Sequence, residues 1–188
     1  MEREDIQARI RSFAQRSKRR TITGLVVHCS ANAEGVDVTA ADIKKFHIEK
    51  RGWCDIGYHF VIRIDGTIEP GRDLNKAGAH VSDHNAHTIG ICYVGGLEAT
   101  TNSKGKIVAK KNDRGRDIAK DTRTPEQKDS LRWLLGELVQ ALPEVKTIKG
   151  HRDYSPDLNG NGTIEPREYI KSCPCFNAIP EYADLLER

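Results

Sequence analysis

Two histidines and a cysteine in this 188-residue chain could together hold a metal ion. His28 follows the apolar run Gly24-Leu25-Val26-Val27, and His151 follows Val145 to Lys149 and Gly150. Cys173 lies 22 residues beyond His151, between Ser172 and Pro174. Zinc hydrolases use three protein ligands drawn from His, Cys, Asp and Glu, and leave one position open for water. Each histidine ends a predicted buried strand, and strand ends are where α/β folds place their sites. Either histidine alone reads as an ordinary core or surface residue. The pair together with an unpartnered thiol is what suggests a metal.

A second pattern suggests calcium. The run Asp157-Leu158-Asn159-Gly160-Asn161-Gly162-Thr163-Ile164-Glu165-Pro166-Arg167-Glu168 fits a twelve-residue EF-hand loop. Asp157, Asn159 and Asn161 supply oxygens at positions 1, 3 and 5, Gly162 sits at 6, Ile164 at 8 and Glu168 at 12. The competing reading is an Asn- and Gly-rich surface turn, because Pro156 stands where a leading helix would end.

These residues need elements to position them. Ile6, Ile10 and Phe13 form one apolar stripe and predict a helix over 2–17, stopped by Lys18-Arg19-Arg20. Residues 24–29 read as a buried strand. Thr39 and Asp42 form a capping box that opens a helix to about Lys50, with Ile43, Phe46 and His47 on one face. Residues 58–64 read as a strand, Asp65-Gly66 as a hairpin turn, and Thr67-Ile68-Glu69 as the start of the return strand. Residues 88–94 form another buried strand. Residues 100–124 hold eight basic and three acidic residues and read as an exposed loop with a small hairpin. Thr124-Pro125-Glu126-Gln127 starts a helix whose apolar face runs from Leu131 to Leu142. A short strand over 145–149 and a terminal helix over 179–186 complete the chain. The expected architecture is one α/β domain of mixed α+β type, a central mixed sheet with helices on both faces. Residues 1–20 form a helical extension and 21–188 the domain proper.

Composition excludes several classes. No apolar stretch approaches the ~18–20 residues of a membrane span. Residues 1–5 carry acids with no apolar core behind them, so no secretory signal is expected and synthesis in the cytoplasm is. The net charge of +3 is too small to suggest a nucleic-acid partner, and it is uneven: residues 1–20 carry +4, 100–124 carry +5 and the rest −6. Five cysteines with irregular spacing do not make a disulfide framework. Cys29 and Cys92 read as buried small apolar residues. Cys54 and Cys175 are a pair that could approach each other. His47, His59, His84 and His87 read as structural or solvated, with His59 facing away from Tyr58.

Seven segments then occur in a telling order: Val27-His28-Cys29-Ser30-Ala31, residues 52–60 (GWCDIGYHF), Asp65-Gly66-Thr67-Ile68-Glu69, Gly71-Arg72, residues 89–96 (IGICYVGG), Gly150-His151-Arg152-Asp153 and residues 171–176 (KSCPCF). In these the chain resembles the zinc-dependent N-acetylmuramoyl-L-alanine amidases, the family of phage lysozyme-type endolysins and peptidoglycan recognition proteins. The resemblance spans about residues 22–180. It implies that His28, His151 and Cys173 hold zinc, that Tyr58 and Lys171 are catalytic and that His80 lines the substrate groove. It also implies a peptidoglycan or muramyl-peptide substrate, hydrolysed at the bond between N-acetylmuramic acid and L-alanine by a monomer that reaches the wall after release or export. A non-catalytic peptidoglycan-binding module is the alternative, and the intact Cys173 speaks against it. Without the resemblance, Tyr58 reads as a half-buried strand residue and Lys171 as a solvated charge.

Overall fold

The structure, a computed structural model, describes residues 2–17 and 19–187; Lys18 of the basic helix stop lies outside them. The chain begins with helix α1 (Arg3–Ala14), which buries Ile6, Ile10 and Phe13. Strand β1 (Gly24–Cys29) is buried along its whole length, and β2 (Asn32–Ala33) is a two-residue strand beyond it. Helix α2 (Ala40–Arg51) starts at the predicted capping box, with Asp42 N–H donating to Thr39 Oγ1 and Thr39 N–H to Asp42 Oδ2. Strands β3 (Phe60–Ile62) and β4 (Ile68–Pro70) form the hairpin, and β5 (Thr88–Tyr93) follows a long loop.

A short strand β6 (Gly96–Leu97) leads into the hairpin of β7 (Ala99–Thr101) and β8 (Ile107–Ala109). Helix α3 (Pro125–Ala141) opens on the Thr124/Gln127 capping box. Gln127 does more than cap: its buried amide donates to the Ile62 and Val94 carbonyls, at 3.2 and 2.9 Å. It thereby ties the helix to two sheet segments. Strand β9 (Thr147–Gly150) ends at His151, and α4 (Ala178–Glu181) lies near the C-terminus.

The main sheet has the order β4-β3-β5-β1-β9. Only β4 is antiparallel to its neighbour; β3, β5, β1 and β9 run parallel. Strands buried on both faces read as continuous apolar runs, as β1 and β5 do. The larger core packs α1, α3 and the C-terminal helical segments on one face. The smaller one seats Ile43 of α2 against Ile56, Val61 and Val94 on the other. The expected mixed sheet with helices on both faces is therefore the fold. β1 lies between β5 and β9, so the C-terminal ends of β1 and β9 sit side by side.

Four local expectations need correcting. The terminal helix over 179–186 is instead α4 and a 3-10 turn (Ala183–Leu186). Burial of Tyr182 between them, its hydroxyl 3.0 Å from Arg123 Nη1, fixes a backbone that a continuous helix could not adopt. Residues 100–124 do form a hairpin, but Thr122 and Arg123 at its end are buried. The Arg123 guanidinium lies 3.2 Å from the Phe176 ring centre and pairs with Asp121 and Glu181. Phe46 does not join Ile43 and His47 in the core; it is half exposed. Cys54 is exposed, and Cys175 approaches Cys29 instead, with the two sulfurs 3.7 Å apart.

Candidate metal centre and active-site groove

The parallel register places His28 and His151 on adjacent strand ends. His28 is the fifth residue of β1, and Val27 is level with Gly150, the residue before His151. The Cys173 segment folds back over them. Its carbonyl accepts from Arg152 N–H at 2.8 Å, and its sulfur accepts from Cys29 N–H at 3.2 Å. His28 Nδ1 lies 3.2 Å from His151 Nδ1 and 3.7 Å from Cys173 Sγ. One donor atom from each of the three falls within 4.8 Å of the others. Among the described residues no other group of three or more His, Cys, Asp or Glu side chains converges in this way.

These donors suit a metal electronically. His28 is fully buried, and burial holds its pKa well below the usual histidine value, with neighbouring His80, His151 and Lys171 acting in the same direction. Burial, then Lys171, lowers His151 to about 4. Both imidazoles are neutral at pH 7 and keep a lone pair for a cation.

His80 stands behind this cluster rather than in it. Its Nδ1 is 3.1 Å from His28 Nε2, while its Nε2 faces Thr88 Oγ1 at 3.5 Å. Thr88 Oγ1 donates to the His84 carbonyl at 2.8 Å. If His28 Nδ1 is free for a ligand, its proton sits on Nε2 and is donated to His80; the His80 proton then points to Thr88. That chain fixes the tautomer and tilt of His28, as partners of metal-binding histidines do. Space for His80 comes from missing side chains. A Cβ on Gly90, in β5, would lie 2.6 Å from the His80 ring, and one on Gly78 would lie 2.3 Å away.

Arg20 holds the loop that carries His80, a role invisible in a basic helix stop. Its guanidinium donates to the carbonyls of Leu74, Asn85, Ala86 and Thr88, at 2.7 to 3.2 Å. Burial lowers its pKa to about 10, so it stays charged at neutral pH. His59 faces the same region. Its Nδ1 accepts from Gly90 N–H and its Nε2 faces the Lys76 carbonyl at 3.1 Å, a structural role. Burial, then the charge of Arg20, lowers it to about 3.

His151 and Cys173, with His80, form the floor of a groove of about 720 Å³, and His28 is buried behind them. Tyr58 and Lys171 both line it. The Tyr58 ring packs on His28 at 5.1 Å and on His47 at 5.5 Å between centres. Burial, then nearby thiols, pushes its hydroxyl well above the usual tyrosine value, so it is a donor at neutral pH. His47 is another wall residue that sequence reasoning assigned no site role. It accepts from Gly57 N–H at 3.1 Å and stacks on Trp53. Phe46, exposed to solvent, completes this apolar side.

The 157–168 loop turns its oxygens onto its own backbone. Asp157 accepts from Gly160 and Gly162, Asn159 from Asn161, and Asn161 from Thr163. Buried Glu168 accepts from the N–H groups of Leu158, Asn159 and Glu165. The loop is explained as a self-capped turn, and the calcium expectation gains no support from it.

The chain is similar to known proteins over most of its length. Residues 18–168 match the family described as N-acetylmuramoyl-L-alanine amidase, a range that includes His28 and His151 and stops short of Cys173. The chain is 34% identical to the endolysin of Enterobacteria phage K11 over 163 residues, 87% of each chain. It is also 34% identical to the Escherichia phage T7 endolysin, again over 87% of each. A solved structure of the endolysin amidase LysCS from Clostridium intestinale superposes with a TM-score of 0.57 at 26% identity, covering 88% of this chain and 81% of that one. By the family match over most of its length and its similarity to these endolysins, the chain belongs to the N-acetylmuramoyl-L-alanine amidase family.

Proposed function

We propose that this protein is a zinc-dependent amidase that cleaves peptidoglycan between N-acetylmuramic acid and L-alanine. The observation that carries this reading is the convergence of His28, His151 and Cys173 at the floor of a groove lined by Tyr58 and Lys171. Two neutral imidazoles and a thiol are a donor set that zinc accepts in hydrolytic sites. When bound, zinc polarises the carbonyl and lowers the pKa of water to about 7.

The chain's own residues then have distinct tasks. His28, His151 and Cys173 hold the ion, and His80 positions His28 through Nε2. The amide carbonyl oxygen gains charge as water adds to its carbon. Tyr58 donates a hydrogen bond to that oxygen, and the Lys171 ammonium adds favourable charge from the groove edge. Such preorganised donors act where charge develops and cost no reorganisation. The apolar wall of Phe46, His47 and Trp53 shields one side of the substrate from water. The endolysin relatives support a place of action at the cell wall.

Binding without cleavage is the weaker reading, because a recognition module has no use for a third, thiol ligand. The test is mass spectrometry of products released from purified peptidoglycan, with and without chelator, beside measurement of bound metal. The expected products are free L-alanyl peptides and intact glycan strands, lost on chelation, with one zinc per chain. Glycan fragments, or activity that survives metal removal, would overturn the proposal.

A further inference from the structure

The strongly basic stretch of the sequence is a built structure. Residues 97–119 form a meander of three short antiparallel runs: β7 pairs with β8, and bridges join Leu97 to Ala119 and Lys111 to Asp117. Two turns connect the runs, and they are copies of each other. Asn102-Ser103-Lys104-Gly105-Lys106 and Asn112-Asp113-Arg114-Gly115-Arg116 share the pattern Asn-x-cation-Gly-cation at a spacing of ten.

Their hydrogen bonds match one for one. Asn102 Oδ1 accepts from Lys104 and Lys106 N–H, both at 3.0 Å; Asn112 Oδ1 accepts from Arg114 and Arg116 N–H, at 3.0 and 3.1 Å. Gly105 N–H donates to the Asn102 carbonyl and Gly115 N–H to that of Asn112, at 2.9 and 2.8 Å. The glycines have φ of +72° and +71°, where other residues are strained. Each turn thus holds its two cations on a defined backbone.

The charge pattern follows the same division. Cations on or beside the runs are neutralised: Lys110 by Glu98, Lys111 by Asp117, and Lys120 by Glu34. Lys104, Lys106, Arg114 and Arg116, all exposed, have no acidic partner among the described residues. Asp113 is the single acid within the two turns. Meander geometry puts the turns at opposite ends of the runs, roughly 15 Å apart. Leu97, Asp117 and Ala119 line the groove, so the arginine turn adjoins it and the lysine turn extends the positive surface outward. The basic helix α1 differs: it packs on α3, on the sheet face opposite α2.

We propose that the paired turns are a second contact site for the wall, binding carboxylates of peptidoglycan stem peptides outside the catalytic groove. This rests on the wall-amidase reading above. Two separated, preformed cation pairs suit a polymer carrying repeated anions, because both can engage one strand and little side-chain order is lost on the protein side.

The test uses the full chain with Lys104, Lys106, Arg114 and Arg116 all changed to Gln, and a second variant with only Arg114→Gln and Arg116→Gln. Co-sedimentation with purified sacculi in the cold is compared at about 20 and 200 mM NaCl, which changes the screening length severalfold. The fourfold variant should bind about tenfold more weakly at low salt, lose most of the salt dependence and melt like the parent. The double variant should fall between. Sacculi whose carboxylates are blocked as amides should bind parent and variant alike. Turnover of a soluble muramyl peptide should stay within about twofold, since the groove is untouched. Unchanged sedimentation in both variants, or an equal loss of turnover on soluble substrate, would overturn the proposal, as would undiminished binding to blocked sacculi. If soluble muramyl peptide is never cleaved while sedimentation still depends on the four cations, the amidase reading fails and the contact site stands.

Discussion

The floor and the rim of the groove are built on opposite principles. The floor is buried, uncharged and over-determined: His28 is fixed by β1, by His80 and by packing against Tyr58. The rim is exposed, charged and locally determined: its two basic turns are shaped by their own Asn and Gly residues, and the Asn side-chain hydrogen bonds span two to four residues. The groups proposed to do chemistry are held by distant parts of the chain, whereas those proposed to meet a polymer are held by their neighbours. Damage at the floor should therefore spread through the site, and damage at the rim should stay where it is made.

The largest effect is expected at the floor's thiol. Cys173→Ser should abolish stoichiometric zinc binding and reduce turnover to background, read by metal analysis and product release together. Changing the donors rather than the ligands should separate chemistry from metal. Tyr58→Phe and Lys171→Met should each lower kcat on a soluble muramyl peptide by about 10²–10³-fold with metal content unchanged. His80→Ala should weaken metal binding by about 10–100-fold in a chelator competition, with partial recovery in His80→Gln.

Acid should weaken the buried part of the molecule without mutation. Folded His59 titrates at about 3 and unfolded histidine near 6.5, so between these values the unfolded chain binds the extra proton. Stability should be full above about 6.5 and fall by a few kcal/mol as pH drops towards 3. Denaturant melts across that range would show it, and His59→Asn should flatten the slope. The smallest effect is expected for calcium. Glu168→Gln should lower the melting temperature by a few degrees, because a carboxylate that accepts three backbone N–H groups is weakened. Millimolar calcium should move neither the parent nor the variant, and a clear rise in the parent alone would place the ion in the 157–168 loop.

Legibility followed the same division. Both capping boxes, the buried strands and the β3–β4 hairpin rest on local signals, and they stand where those signals put them. The strand-end histidines were visible because apolar runs point to them. Nothing local announces that Arg20 spans four carbonyls of the 74–88 loop, or that His80 reaches His28 across 52 residues. Phe46 misled because helical spacing cannot distinguish a core face from a groove wall. The neighbour of Cys175 is Cys29, which sequence distance could not single out because it carries no information on which strand a returning loop will meet. The twin turns were readable as a repeated pattern, yet a charge count over 100–124 hid them.

The meander has one more consequence, for engineering. It leaves the domain at Gly96 and returns at Lys120, where the Lys120 N–H donates to the Gly96 carbonyl at 3.0 Å. Its two ends are therefore already joined, like the mouth of a drawn purse. A short Gly-containing bridge could close that mouth in its place, since most of the hydrogen bonds lost would lie inside the excised piece. The same mouth would accept a different binding hairpin, leaving the rest of the domain to be retargeted as an interchangeable part.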